Sequence, residues 1–278
     1  MESNSLSVRT YRPGDEQAIQ AVFETVFGRK RSLAEWRWRF QSPPSGPGML
    51  HVLENEDGIV GHIAHIAFPT WVDGQRLVAG QGGDTMMLPA CRGKGGMRQL
   101  VDASLAEHTY DLRLNFPSDM ARPLFVRYGA GVVVEALPSW VRRNSLTRPL
   151  PAFAAPLARA GDGRLTGISV LGLEAGAHGR TGWINDLLAP DRATLRALLV
   201  DAVARLVAQG AGSVRCHYLD PRPWARRVFM RSGFLPSGEE HPFIVRALSP
   251  AAGDGPEQPG SWYLTRSDTE PWPSLTEI

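Results

Sequence analysis

The sequence predicts an α/β protein, of α+β type, with a mixed sheet flanked by helices and two units in tandem. Three observations lead there. Between Met49 and Leu88, extended segments are joined by hairpin-type turn signals; after Leu88, helical and extended patterns alternate; and a Pro- and Gly-rich break from Ser145 to Gly163 separates two stretches of similar outline. A chain of 278 residues, 43% hydrophobic and 21% charged, is long enough for one large domain or two of ordinary size.

Val8 to Tyr11 reads as a short strand. Gly14-Asp15 then supplies a turn and an N-cap for a helix that gathers Ala18, Val22, Phe23, Val26 and Phe27 on one face. Ser32 and Glu35 have the spacing of a capping box, opening a second helix loaded with Trp36, Trp38 and Phe40. The meander that follows turns at Asn55-Glu56-Asp57-Gly58 and at Asp73-Gly74, and its last strand ends in Gly83-Asp84-Thr85-Met86-Met87-Leu88. After a loop from Pro89 to Gly96, Met97 to His108 reads as a helix. A strand (Leu112 to Phe116), a short helix (Ala121 to Tyr128) and a last strand (Val132 to Trp140) complete a first domain, residues 1–146.

The second domain, residues 147–278, holds strands near Leu165 to Leu171 and Thr181 to Asn185, then a helix, a strand, a helix and a strand. Ala121 to Gly129 and Ala225 to Phe234 share their spacing of aromatic and glycine, which suggests a diverged duplication. Where the first half has its glycine loop, the second has Leu188-Ala189-Pro190-Asp191-Arg192. Pro190 lacks an N–H there, so this half is expected to bind no coenzyme and to help wall a substrate cleft.

Composition excludes several classes. Lys and Arg number 30 against 28 Asp and Glu, and a net charge of +2 gives no field with which to capture nucleic acid or an anionic membrane. No run reaches the roughly 18 to 20 apolar residues of a membrane span, and the first residues lack a signal-peptide pattern, so a cytoplasmic protein is expected. Cys91 and Cys216 suggest neither a disulfide framework nor a metal site. His62 and His65, three apart on a strand, point to opposite faces and form no metal pair. Asp268 and Glu270 read as a solvated tail.

The segment that carries chemistry is Arg92-Gly93-Lys94-Gly95-Gly96-Met97, between a strand and a helix. Successive backbone N–H groups there face one concavity at the positive helix end, where a pyrophosphate can sit, and Arg92 and Lys94 can add charge at its rim. The spacing is neither that of the P-loop nor the dinucleotide pattern. A loop of this kind after an antiparallel meander and before helix, strand, helix and strand resembles the GNAT family of acyl-CoA-dependent N-acyltransferases. That family's central motif begins with Arg or Gln and places Gly three positions on. This chain matches at Arg92 and Gly95 and has Met97 where Gly or Ala is usual. A later family motif resembles Ser118 through Gly129, with Ser118 in place of Asn and Phe125 in place of the family's tyrosine.

The resemblance implies that Met86, Met87 and Leu88 line a pantetheine arm where two strands splay apart, with Ser118 nearby. It implies that Arg92, Gly93, Lys94, Gly95, Gly96 and Met97 take the pyrophosphate of acetyl-CoA or another acyl-CoA. It also implies direct attack by the primary amine of a small molecule, without metal, with a backbone N–H of the Met86–Met87 stretch on the oxyanion. The remaining candidates for base and acid are Asp84, beside the glycines of Gly80-Gln81-Gly82-Gly83, and Tyr128. Strand parity puts Asp84 and Met87 on opposite faces unless a bulge intervenes. A monomer or homodimer without nucleic-acid or membrane partner is expected. The alternatives are a non-catalytic acyl-CoA-binding protein and a related enzyme redirected to O-acylation or decarboxylation.

Overall fold

The structure, a computed structural model, describes residues 5–43, 45–107, 109–143, 157–159, 165–176 and 179–269. Most of the Pro- and Gly-rich break, as well as Glu270, lies outside them. In chain order the elements are β1 (Ser7–Thr10), α1 (Glu16–Phe27), α2 (Leu33–Phe40), β2 (Met49–Asn55), β3 (Gly58–Val72) and β4 (Gln75–Met87). There follow α3 (Gly96–Ala106), β5 (Leu112–Asn115), α4 (Arg122–Arg127), β6 (Val132–Arg143), β7 (Leu157–Arg159) and β8 (Leu165–Gly176). The chain continues through β9 (Gly179–Leu188), α5 (Arg192–Ala208), β10 (Ala211–Leu219), α6 (Ala225–Arg231), β11 (Leu235–Ala247) and β12 (Leu264–Thr265).

These elements form two compact units that are not consecutive stretches of chain. Among the described residues, the first comprises those up to Val134 with Pro242–Gln258, and the second comprises Glu135–His241 with 259–269. The expected boundary at residue 146 is therefore displaced to within β6. The strand beside β5 is also not the one the local pattern indicates. Ile244–Ala247 of β11 pairs antiparallel with Leu112–Asn115, while Ser139–Arg143 of β6 pairs with Ser213–His217 of β10. Both strands are extended and half apolar. Nothing local distinguishes which of them should pair with β5, and long-range packing decides.

In the first unit β1, β2, β3 and β4 form an antiparallel meander, and β5 runs parallel to β4. Side chains alternate between two cores, as strand pleating requires. Leu50, Val52, Ala64 and Met86 face Ile19, Val22, Phe23, Trp36 and Phe40 of α1 and α2. Leu53, Ile63 and Met87 face Leu100 and Val101 of α3 and Phe125 of α4. Ile19, Trp36 and Phe40 are fully buried, and each such side chain contributes roughly 1.5–3 kcal/mol. Ser32 Oγ accepts the Glu35 N–H at 3.1 Å, which starts α2 as its spacing predicts.

In the second unit β10 pairs antiparallel with β6 and parallel with β9, and β8 lies between β9 and β7. Its core is α5 and α6 against the sheet, with Leu195, Leu199, Ala202, Val214 and Phe229 buried. Meander, parallel strand and intervening helix recur in the same order as in the first unit.

Candidate active site

Two features of β4 make the site. First, its pairing with β3 slips between Gly83 and Met86, where Asp84 and Thr85 oppose the single residue Ile63. This β-bulge puts Asp84 at φ 50°, a left-handed conformation uncommon outside glycine. Second, among the described residues the β4–β5 ladder spans only Ala79–Gln81 against Leu112–Leu114. Beyond Gln81 the two parallel strands separate. Leu88 N–H still donates to Val60 O at 2.8 Å on the β3 side, so by alternation the Met87 N–H and C=O point the other way.

That edge opens onto a cleft of about 690 Å³ whose lining residues all belong to the first unit. Thr85, Met86 and Met87 form its floor; Arg92, Gly93, Gly95 and Met97 close one end. The end loop depends on its glycines. Gly93 and Gly95 have φ 79° and 81°, and Gly95 is the residue immediately before α3. Gly96 is a glycine for another reason: an added Cβ would come within 2.6 Å of Leu53 Cδ2, so its absence lets α3 start close against β2. Arg92 Nε donates back to the Met87 carbonyl at 3.3 Å, which leaves the Met87 N–H as the backbone donor of that residue toward the cleft.

The remaining wall comes from α1 and α4. Ser118, whose Oγ accepts the Ala121 N–H at 3.3 Å, lies at the start of the α4 segment, with Phe125 and Tyr128 further along. Sequence reasoning did not find Thr85, Val26, Phe27, Leu124 or Arg127, all of which line the cleft. Leu124 could have been read from its four-residue spacing to Tyr128, and Arg127 from its three-residue spacing to Leu124; Val26 and Phe27 arrive from α1, far away in sequence, and carry no such signal.

Several expected site residues lie elsewhere. Lys94 is exposed, and Leu88 and Gly96 are not among the residues lining the cleft. Met86 lines the cleft, but its register opposite His62 commits its backbone to β3. Asp84 is buried and meets Arg31 at 2.6 Å, with side chains 5% and 2% exposed, and the Asp84 charge also acts on buried Arg39. Its carboxylate is therefore held in an ion pair beneath the bulge rather than presented to the cleft. The neighbouring glycines serve the protein itself: the ring of Tyr110 covers Gly80 and the Asn115 amide covers Gly82. His62 is fully buried, with Nδ1 against His51 O at 2.8 Å, and burial pushes its pKa down to about 4. His65 is likewise buried and held well below the ordinary range. Asp268 is not in a solvated tail: it accepts the Thr265 N–H at 2.6 Å, and burial raises its pKa to about 6.

At the corresponding place in the second unit the chain itself narrows the opening, leaving a cavity of about 410 Å³ lined by Leu188, Ala189, Pro190, Asp220, Arg222 and Tyr263. Among the described residues the β9–β10 register runs to Ile184 and Cys216, and just beyond it β12 pairs with Tyr218 and Leu219 of β10. Ser267 Oγ donates to Asn185 O at 3.1 Å, and Arg266 Nη1 to Asn185 Oδ1 at 2.8 Å. At the end of β9, Arg222 Nη1 donates to Pro190 O at 2.9 Å and Asp191 caps α5 through the Thr194 N–H.

Comparison with known proteins agrees with this geometry. Residues 7–133 match the family model described as an acetyltransferase (GNAT) domain. No curated protein matches the chain. A protein of Enterococcus faecalis described as a probable N-acyltransferase has a similar structure, with TM-score 0.67 and 12% identity over 88% of this chain and 72% of that one. A GCN5-related N-acetyltransferase of Anabaena variabilis also reaches TM-score 0.67, with 12% identity over 91% of this chain and 75% of its own. A fungal protein whose GCN5-related glucosamine N-acetyltransferase region belongs to a multi-domain enzyme gives TM-score 0.61 at 14% identity over 88% of this chain, which spans 38% of that longer chain. At these identities the likeness is one of fold. Residues 7–133 are thus similar to the GNAT acetyltransferase family.

Proposed function

We propose that the first unit transfers an acyl group, most simply acetyl, from acyl-CoA to the primary amine of a small molecule by direct attack. The observation that carries this reading is the outward edge of β4 at Thr85–Met87, running to a loop with two left-handed glycines at the start of α3. Gly93, Gly95 and the first N–H groups of α3 suit a pyrophosphate, with Arg92 as its counter-charge. The Met87 N–H is the donor for the oxyanion that forms when the amine nitrogen attacks the thioester carbon. As the C–S bond breaks, the attacking nitrogen loses a proton to solvent, and the Tyr128 hydroxyl, in the same cleft, gives its own proton to the departing thiolate and recovers one from solvent. Asp84 holds the bulge in place through Arg31 and is a positioning residue in this scheme.

The second unit is read as a diverged copy whose cleft is narrowed by its own segment around β12 and lacks a glycine loop, so that one coenzyme binds per chain. A second reading, acyl-CoA binding without turnover, is favoured by Phe125, which contributes a ring but no hydroxyl to the cleft wall. Thiol release from acetyl-CoA that requires an added amine supports transfer. Tight binding with no release across a broad amine panel supports the second reading.

A further inference from the structure

The cleft also carries information about its acceptor. Its floor runs from the glycine loop, after Met87, back to the bulge at Asp84–Thr85, so the pyrophosphate end and the reactive end are opposite ends of one stretch of β4. Val26 and Phe27 close the α1 side of this same cleft, and α4 contributes Leu124, with Met120 just before it. The segment after α1 is fastened to the bulge by the Arg31–Asp84 pair, and the Arg31 guanidinium lies 4.0 Å from the centroid of the Phe23 ring. The end of α1 is thereby held at the reactive end. Phe27, Leu124 and Met120 are 47%, 36% and 78% exposed, so they form a wall that a bound group could cover.

The charges are equally informative. The charged side chains lining the cleft are Arg92 and Arg127, both cations. The carboxylate closest in sequence to the floor, Asp84, is committed to Arg31. An alkylamine has a pKa of about 10.4, so at neutral pH it arrives as an ammonium ion, which finds no carboxylate among the described residues lining the cleft and which an apolar wall desolvates at a cost.

Resting on the acyl-transfer reading above, we infer that the acceptor is an apolar, weakly basic amine of the arylamine class, neutral in solution at neutral pH. Its conjugate acid is as strong as a carboxylic acid, so no base is needed to generate the nucleophile. The free ArNH₂ nitrogen attacks the thioester carbon and the C–S bond breaks. The acidic N–H of the resulting adduct passes its proton to solvent, and the thiolate takes one from Tyr128, giving ArNHCOR and free thiol. The aryl ring rests against Phe27 and Leu124.

The test compares thiol release from acetyl-CoA with a set of substituted anilines and a set of alkylamines of matched size, between about pH 6 and 9. The expected result is a kcat/KM at least tenfold higher for anilines at neutral pH, with a profile that does not climb with amine deprotonation. Phe27→Glu, at a half-exposed position, is expected to lower aniline kcat/KM tenfold or more and to narrow the gap to alkylamines, with acetyl-CoA affinity kept. Alkylamines or diamines preferred by the unaltered protein would overturn the inference while leaving acyl transfer standing. Coenzyme binding without thiol release from either class would overturn both.

Discussion

Replacement of Gly95 by valine perturbs the coenzyme loop with least damage to the fold. An added Cβ at Gly95 meets no atom within 4 Å, so no packing term opposes it. The cost is conformational: at φ 81° an L-residue loses about 1–2 kcal/mol, and a β-branched one is a genuine outlier. The loop then either keeps its shape under that strain with a methyl pair over the nest, or relaxes and turns its N–H groups away. Either way one or two charge-assisted hydrogen bonds to the pyrophosphate are lost, each worth about 1.5–3 kcal/mol. At about 1.4 kcal/mol per tenfold, acetyl-CoA affinity should fall by roughly tenfold for one weak bond to about 10⁴-fold for two strong ones. Calorimetric titration reads the affinity, and a thermal melt showing a cooperative transition confirms that the variant is folded. Unchanged affinity in a folded Gly95→Val protein would refute the assignment of this loop to the phosphates.

Other consequences follow from the same geometry. Gly96→Ala drives a methyl into Leu53, Leu6 and Met87, so it should cost about 1–3 kcal/mol of stability, read by urea unfolding; a neutral substitution would mean that α3 is not held against β2 as described. Asp84→Asn leaves Arg31 buried without its counter-charge and should cost about 3–5 kcal/mol, so a protein of unaltered stability would contradict the buried pair. Tyr128→Phe should lower kcat by about 100-fold or more while acetyl-CoA affinity is kept, and equal kcat would remove Tyr128 as the acid. His62 has a folded pKa of about 4 against an ordinary 6.5, so between these values the unfolded chain binds more protons. The associated stability, roughly 3 kcal/mol, is present above pH 6.5 and lost as pH falls toward 4. A His62→Gln protein with the same acid profile would exclude that origin.

Much of this architecture was legible because its signals are local. The Ser32–Glu35 spacing started α2, the turn at Asp73-Gly74 set the β3–β4 hairpin, and glycine at 93 and 95 between a strand and a helix marked a concave loop. Strand parity separates Asp84 from Met87 unless a bulge intervenes, and the bulge is present. What was not legible depends on partners distant in the chain. Asp84 reads as an exposed candidate base until Arg31 arrives from beyond α1, and Gly80 and Gly82 read as room for substrate until Tyr110 and Asn115 occupy it. The choice of β11 over β6 beside β5, and the β12 segment at the end of β10, are likewise settled by competition between strands of similar pattern.

Titration of the unaltered protein with acetyl-CoA by calorimetry bears most directly on the central claim, that the splayed edge of β4 in the first unit is a coenzyme site while its counterpart in the second, narrowed by the chain itself and without a glycine loop, is not. The account predicts one site per chain. Two sites would contradict the reading of the second unit as unable to hold coenzyme, and no binding would contradict the assignment of the Thr85–Met87 cleft.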